Sequence, residues 1–74
     1  MGNRVQLDDV TFEAKVEATT SKAVLVVPTM GPEQVWLPRS QIVSMGEADM
    51  DGNRIFVVTG WIAEKNGLKD VLDG

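Results

Sequence analysis

The residues nearest to a catalytic arrangement in this chain are two carboxylate pairs, Asp8-Asp9 and Asp49-x-Asp51, and one hydroxyl beside an amine, Ser21-Lys22. Two carboxylates in unlike surroundings can divide into an acid and a base, and a lysine can serve as the base for a serine nucleophile. Neither chemistry fits the local sequence. Ser21 and Lys22 are adjacent, and adjacent residues on a strand point to opposite faces. Both Asp pairs read as solvated turn residues, a role Asp favours. Asp49-x-Asp51-Gly52-Asn53 has the look of a calcium loop, but its glycine stands fourth, whereas an EF-hand places glycine sixth and a bidentate glutamate twelfth. With His 0 and Cys 0, the commonest general base, the strongest nucleophile and the usual zinc ligands are missing. No Gly-x-Gly-x-x-Gly or Gly-x-x-x-x-Gly-Lys loop is present to cradle a phosphate. The expectation is therefore no catalytic residue, no metal and no cofactor, and a protein that binds rather than transforms.

The chemistry that is left belongs to recognition. Only four residues are aromatic, Trp 2 and Phe 2, and Trp36 lies three residues before Arg39 and five before Gln41. Trp and Arg are enriched among residues that dominate interfaces, so Trp36, Arg39 and Gln41 form the candidate binding set. The competing reading makes Trp36 a plug in one end of the fold with its indole N–H bonded to a carbonyl, since a small domain needs large rings to fill its core. By the same reasoning Trp61 is expected as a lid, and Met30 and Phe12 as packing.

The elements that must position these residues are short strands. Val10, Phe12, Ala14, Val16 and Ala18 alternate with Thr11, Glu13, Lys15 and Glu17, the period of two that marks a half-buried antiparallel strand. Thr19-Thr20-Ser21 makes a turn. Lys22–Val27 is apolar on both faces, which suggests a central strand ended by Pro28. After the Thr29-Met30-Gly31-Pro32 loop, Glu33–Leu37 reads as a third strand. Pro38 interrupts it, Arg39-Ser40-Gln41 makes one helical turn, and Ile42-Val43 resumes extended structure. Asp51-Gly52 signals a hairpin leading into a last strand, Arg54–Thr59. Trp61–Asn66 is helix-compatible, with Thr59 or Gly60 as N-cap. Gly67 stands at the left-handed C′ position, Leu68 packs back near Ile62 or Ala63, and Lys65 and Lys69 lie at the helix's negative end. The expected fold is mostly β: a small antiparallel meander or barrel of about five strands, SH3-like or OB-like, with one short C-terminal helix. The helical turn between the third and fourth strands favours the SH3-like shape.

Bulk properties agree with a single domain over 1–74, with 1–9 and 69–74 as flexible ends. A chain of 74 residues hides only about 60% of its unfolded surface, and without cysteine the core must hold the fold alone. At 43% hydrophobic and 24% charged, it is too apolar for a disordered tail. No apolar run approaches the ~20 residues of a membrane span, and the N-terminus carries no signal-like apolar region, so a cytoplasmic protein is expected. The net charge of −4, with no two basic residues adjacent, lacks the basic footprint of a nucleic-acid binder.

The segment Val35-Trp36-Leu37-Pro38-Arg39-Ser40-Gln41-Ile42, the C-terminal Trp61-Ile62-Ala63-Glu64-Lys65-Asn66-Gly67-Leu68 and the hairpin Thr20–Val26 together resemble a group of small bacteriophage and prophage proteins. The resemblance runs from Val10 to Leu68. It implies a mobile-element setting and carries no mechanism. In that setting an acidic module with no catalytic groups is expected to bind a protein partner as an accessory or inhibitor. A single-stranded nucleic-acid binder stacking bases on Trp36, with Arg39, Lys22 or Arg54 near the backbone, and a self-associating structural module pairing through an edge strand, are the alternatives.

Overall fold

The computed structural model describes residues 8–68; the expectations for 1–7 and for Lys69 and the rest of the tail lie outside them. Five antiparallel strands form one open sheet: β1 (Val10–Thr19), β2 (Ala23–Pro28), β3 (Val35–Pro38), β4 (Ile42–Met45) and β5 (Asn53–Val58). A 3-10 turn, Arg39–Gln41, joins β3 to β4, and a helix, α1 (Gly60–Asn66), follows β5. The order across the sheet is β3-β2-β1-β5-β4. The mostly-β expectation, the helical turn and the terminal helix are all present. No helix among the described residues is long and apolar enough to cross a membrane.

The pairings require the sheet to be tightly rolled. Ile42 is level with Val58, and Val58 with Val10, at the start of β1. Pro38 is level with Ala23, next to the Thr19↔Val24 pair at the far end of β1. In a flat sheet those levels would lie about 30 Å apart along β1 alone, at ~3.3 Å per residue. Yet the four-residue step from Pro38 to Ile42 can span at most about 14 Å. Only a sheet folded over on itself meets both conditions. The fold falls in the middle of β1, where Ala14 pairs with both Pro28 and Arg54, and Lys15 with both Val27 and Asn53. The first half of β1 thus belongs with β5 and β4, and the second half with β2 and β3. The 3-10 turn holds the two halves at their far corner: the Arg39 amide donates to the Lys22 carbonyl (2.8 Å) and the Thr59 amide to the Gln41 carbonyl (3.0 Å).

The inner faces meet in one core. Val24, Val26, Val35 and Leu37 come from one half, Phe12, Phe56 and Val58 from the other, with Ala14 at the seam. The paired residues Phe12 and Phe56 stack with ring centroids 5.5 Å apart, an arrangement worth about 0.5–1.5 kcal/mol beyond the area buried. Ile62 and Ala63 of α1 and Leu68 after it complete the core.

The start and stop of α1 are set by side-chain and glycine chemistry. Thr59 is the N-cap, its hydroxyl accepting from the Ile62 amide at 3.4 Å. Gly67 takes φ 72, and the Leu68 amide reaches back to the Ala63 carbonyl (2.9 Å), the reversal that a residue without Cβ adopts most easily. The Asp51-Gly52 hairpin likewise forms with Gly52 at φ 86, while Asp49 Oδ1 accepts from the Asp51 and Asn53 amides at 2.8 and 2.9 Å.

Three side-chain placements differ from expectation. Ala18 does not continue the inner face, because the register slips between Val16 and Ala18. A bulge there adds a residue and turns the strand, so Ala18 pairs with Leu25 and is exposed. Met30 is 82% exposed rather than packed. Trp61 is no lid: it is 55% exposed with Lys65 Nζ 5.1 Å from its ring centre, and its neighbour Ile62 fills the core instead.

Candidate functional site

On β3 the alternation puts Val35 and Leu37 inside and Trp36 outside. Trp36 is 50% exposed, which overturns its reading as a core plug; the buried aromatic rings of the core are Phe12 and Phe56. Its cross-strand partner on β2 is Leu25, whose own partner on β1 is Ala18. Residues directly opposite on antiparallel strands share a face, so Ala18, Leu25 and Trp36 form an apolar row across the outer surface. The row exists because of the bulge: in unbroken register Ala18 would point inward and a charged neighbour would stand beside Leu25. Ala23, level with Pro38, extends the same surface by one step.

The border of this surface is basic at one end. Lys22 and Arg39 are both exposed and are tied by the Arg39 amide–Lys22 carbonyl bond. Arg39 Nε donates to the Thr20 carbonyl at 3.0 Å, fixing the guanidinium over the β1–β2 turn. That turn is itself set by Thr20, whose hydroxyl oxygen accepts from the Ala23 amide at 2.9 Å. At the other end Gln34 Nε2 reaches Glu17 Oε1 at 3.5 Å.

Gln41 has a different place. It is part-buried, and its Oε1 accepts from the Thr59 hydroxyl at 2.6 Å. One hydroxyl therefore connects the 3-10 turn to the first turn of α1. Gln41 positions the helix, and the structure does not bring its amide to the outer face with Trp36. Replacing Thr59 by Val, which keeps the shape, should cost about 1–2 kcal/mol by removing the cap and leaving Gln41 Oε1 without its donor. Urea midpoints would measure this, and Gln41→Ala in the Thr59→Val background should cost almost nothing more. A Thr59→Val chain as stable as the parent would deny the hydroxyl this role.

Leu25 belongs to the surface but was not singled out from sequence, whereas Lys22 was named with Arg39 and Arg54 as a possible contact to a nucleic-acid backbone. The signal was there in part: Lys22–Val27 is apolar on both faces, and only one of those faces can meet the core of a sheet whose other side is bare. Among the described residues no group of three or more acidic, His or Cys side chains could hold a metal ion. No protein-family model, curated protein or solved structure matches the chain.

Proposed function

We propose that this chain is a non-catalytic, cytoplasmic protein-binding module, an accessory or inhibitor of phage or prophage origin, that engages its partner through Trp36. The observation that carries this reading is a tryptophan half exposed on the outer face of a strand, backed by Leu25 and bordered by Lys22 and Arg39. A large ring left outside a small core costs folding stability that burial would have supplied, about 25 cal/mol per Å² of apolar surface. Such a ring, with an apolar row beside it and cations at its rim, is the form of an interface anchor.

Trp36→Ala should leave the fold nearly as stable as before, since the core does not include it, and should abolish recovery of the partner by tagged chain from nuclease-treated host lysate. Recovery that survives the substitution removes Trp36 from the interface. The cation pair Lys22–Arg39 beside an exposed ring also supports single-strand binding by stacking and phosphate contact. Capture that disappears with nuclease and weakens steeply with salt would move that reading ahead of the first.

A further inference from the structure

An asparagine followed by glycine can lose its side-chain amide with no reagent but water. The backbone nitrogen after the asparagine attacks the side-chain carbonyl, and glycine, lacking a Cβ, leaves that approach open. Asparagine stands at 3, 53 and 66, and only Asn66 has glycine after it, the other two being followed by arginine. Asn66 is the last residue of α1 and is half-buried, and Gly67 is the left-handed residue that ends the helix.

The folded chain holds the reacting atoms apart. Asn66 Nδ2 donates to the Ile62 carbonyl at 3.0 Å, which ties the side chain back along the helix. The Gly67 N–H donates to the Ala63 and Glu64 carbonyls, so the nitrogen that must give up its proton is bonded through that proton. Asn66 is helical, and closing a five-membered ring between its Cγ and the next nitrogen needs a backbone torsion outside the α region. Leu68 fastens the arrangement: its amide reaches the Ala63 carbonyl at 2.9 Å, and its side chain is buried with Ile62 and Ala63.

We infer that Asn66-Gly67 is a self-modification site that the folded end of α1 protects, and that its modification makes an opening of this end permanent. In the opened chain the Gly67 nitrogen, having lost its proton to solvent, attacks Asn66 Cγ. The Cγ–Nδ2 bond breaks, and the amide takes up a proton from water and leaves as ammonia. Water then opens the resulting imide at either carbonyl, giving aspartate or isoaspartate. Both place a carboxylate at the negative end of the helix, where anions are disfavoured. Isoaspartate also routes the backbone through Cβ and Cγ. The added carbon moves the Gly67 and Leu68 amides off the carbonyls they bond in the unmodified chain, and Leu68 loses its register with the core. Neither Trp36 nor a partner takes part, so the site stands independently of the function proposed above.

Incubation of the full chain in mildly alkaline buffer, with and without guanidinium chloride, tests it. The readouts are intact mass and peptide mapping that separates aspartate from isoaspartate. The unfolded chain should exchange NH2 for OH at residue 66. The folded chain should do so at least about tenfold more slowly, because only its opened fraction reacts. Leu68→Ala, which loosens this end of α1, should modify faster than the parent without denaturant, and Asn66→Gln should leave that position unmodified in either condition. Once refolded, the isoaspartate chain should unfold at a lower urea concentration than Asn66→Asp, which carries the charge without the added carbon. Equal rates in the folded and unfolded chain overturn the inference, as does faster ammonia loss at Asn3 or Asn53. So does a Leu68→Ala chain that modifies no faster, or an isoaspartate chain as stable as Asn66→Asp.

Discussion

Phe56→Ala should unfold the protein or leave it at the margin of stability. Phe56 is the largest side chain with no exposed surface, and its ring stacks on Phe12 across the β1–β5 ladder. Removing a buried phenyl ring costs about 3–5 kcal/mol, part lost transfer energy and part cavity. A domain of this size has in total about 4–11 kcal/mol, at 0.05–0.15 kcal/mol per residue, and no disulfide supplements it. The relaxation that softens such losses in larger proteins is restricted here, because β5 is held between β1 and β4. Urea titration followed by tryptophan fluorescence would report the loss, both indoles being half exposed in the folded state. A cost below about 2 kcal/mol would mean that the two rings do not organise the core.

Ala14→Leu should be nearly as damaging for the opposite reason. Ala14 is fully buried and lies where β1 leaves one half of the sheet for the other, paired on both sides. Overpacking a tight site costs about 1–3 kcal/mol, and the upper end is expected because both ladders must shift to admit the larger side chain. Lys15→Ala is the control: Lys15 occupies the same seam but is exposed, its methylenes lying over Gly52, and such a change normally stays within about 0.5 kcal/mol. Comparable losses for the two substitutions would show that position on β1, rather than packing at the seam, governs the cost.

Much of this fold could be read from residues one at a time. Alternation over Val10–Val16 gave the inner face of β1, Pro38 marked the end of β3, Asp51-Gly52 the hairpin, and Thr59 with Gly67 the two ends of α1. Each of these is a local signal, decided within a few residues of chain. What escaped was decided between strands. The slip at Glu17 that turns Ala18 outward depends on which residues of β2 oppose it, and no periodicity in β1 alone records it. The same holds for Trp36 and Trp61. Large apolar rings were assigned inside on composition, but Phe12 and Phe56, paired across β1 and β5, already occupy the interior with Leu37 and Ile62. Of the candidate set, alternation along β3 opposed Trp36 to Val35 and Leu37 without deciding which face was core, while the role of Gln41 depends on a hydroxyl eighteen residues away, a separation at which sequence carries no geometric information.

The sharing of Ala14 and Lys15 between two ladders has a consequence for how the molecule can come apart. Neither half of the sheet possesses β1 for itself, so neither is a smaller protein in its own right, and opening one ladder strips the other of its central support. Partial states that keep β2 and β3 ordered while β4 and β5 dissolve have no seam to end on. The amides at the middle of β1 should therefore exchange their hydrogens only at the rate at which the whole chain unfolds. Under the proposed function, the partner would meet one rigid body, presenting a surface that cannot loosen in pieces.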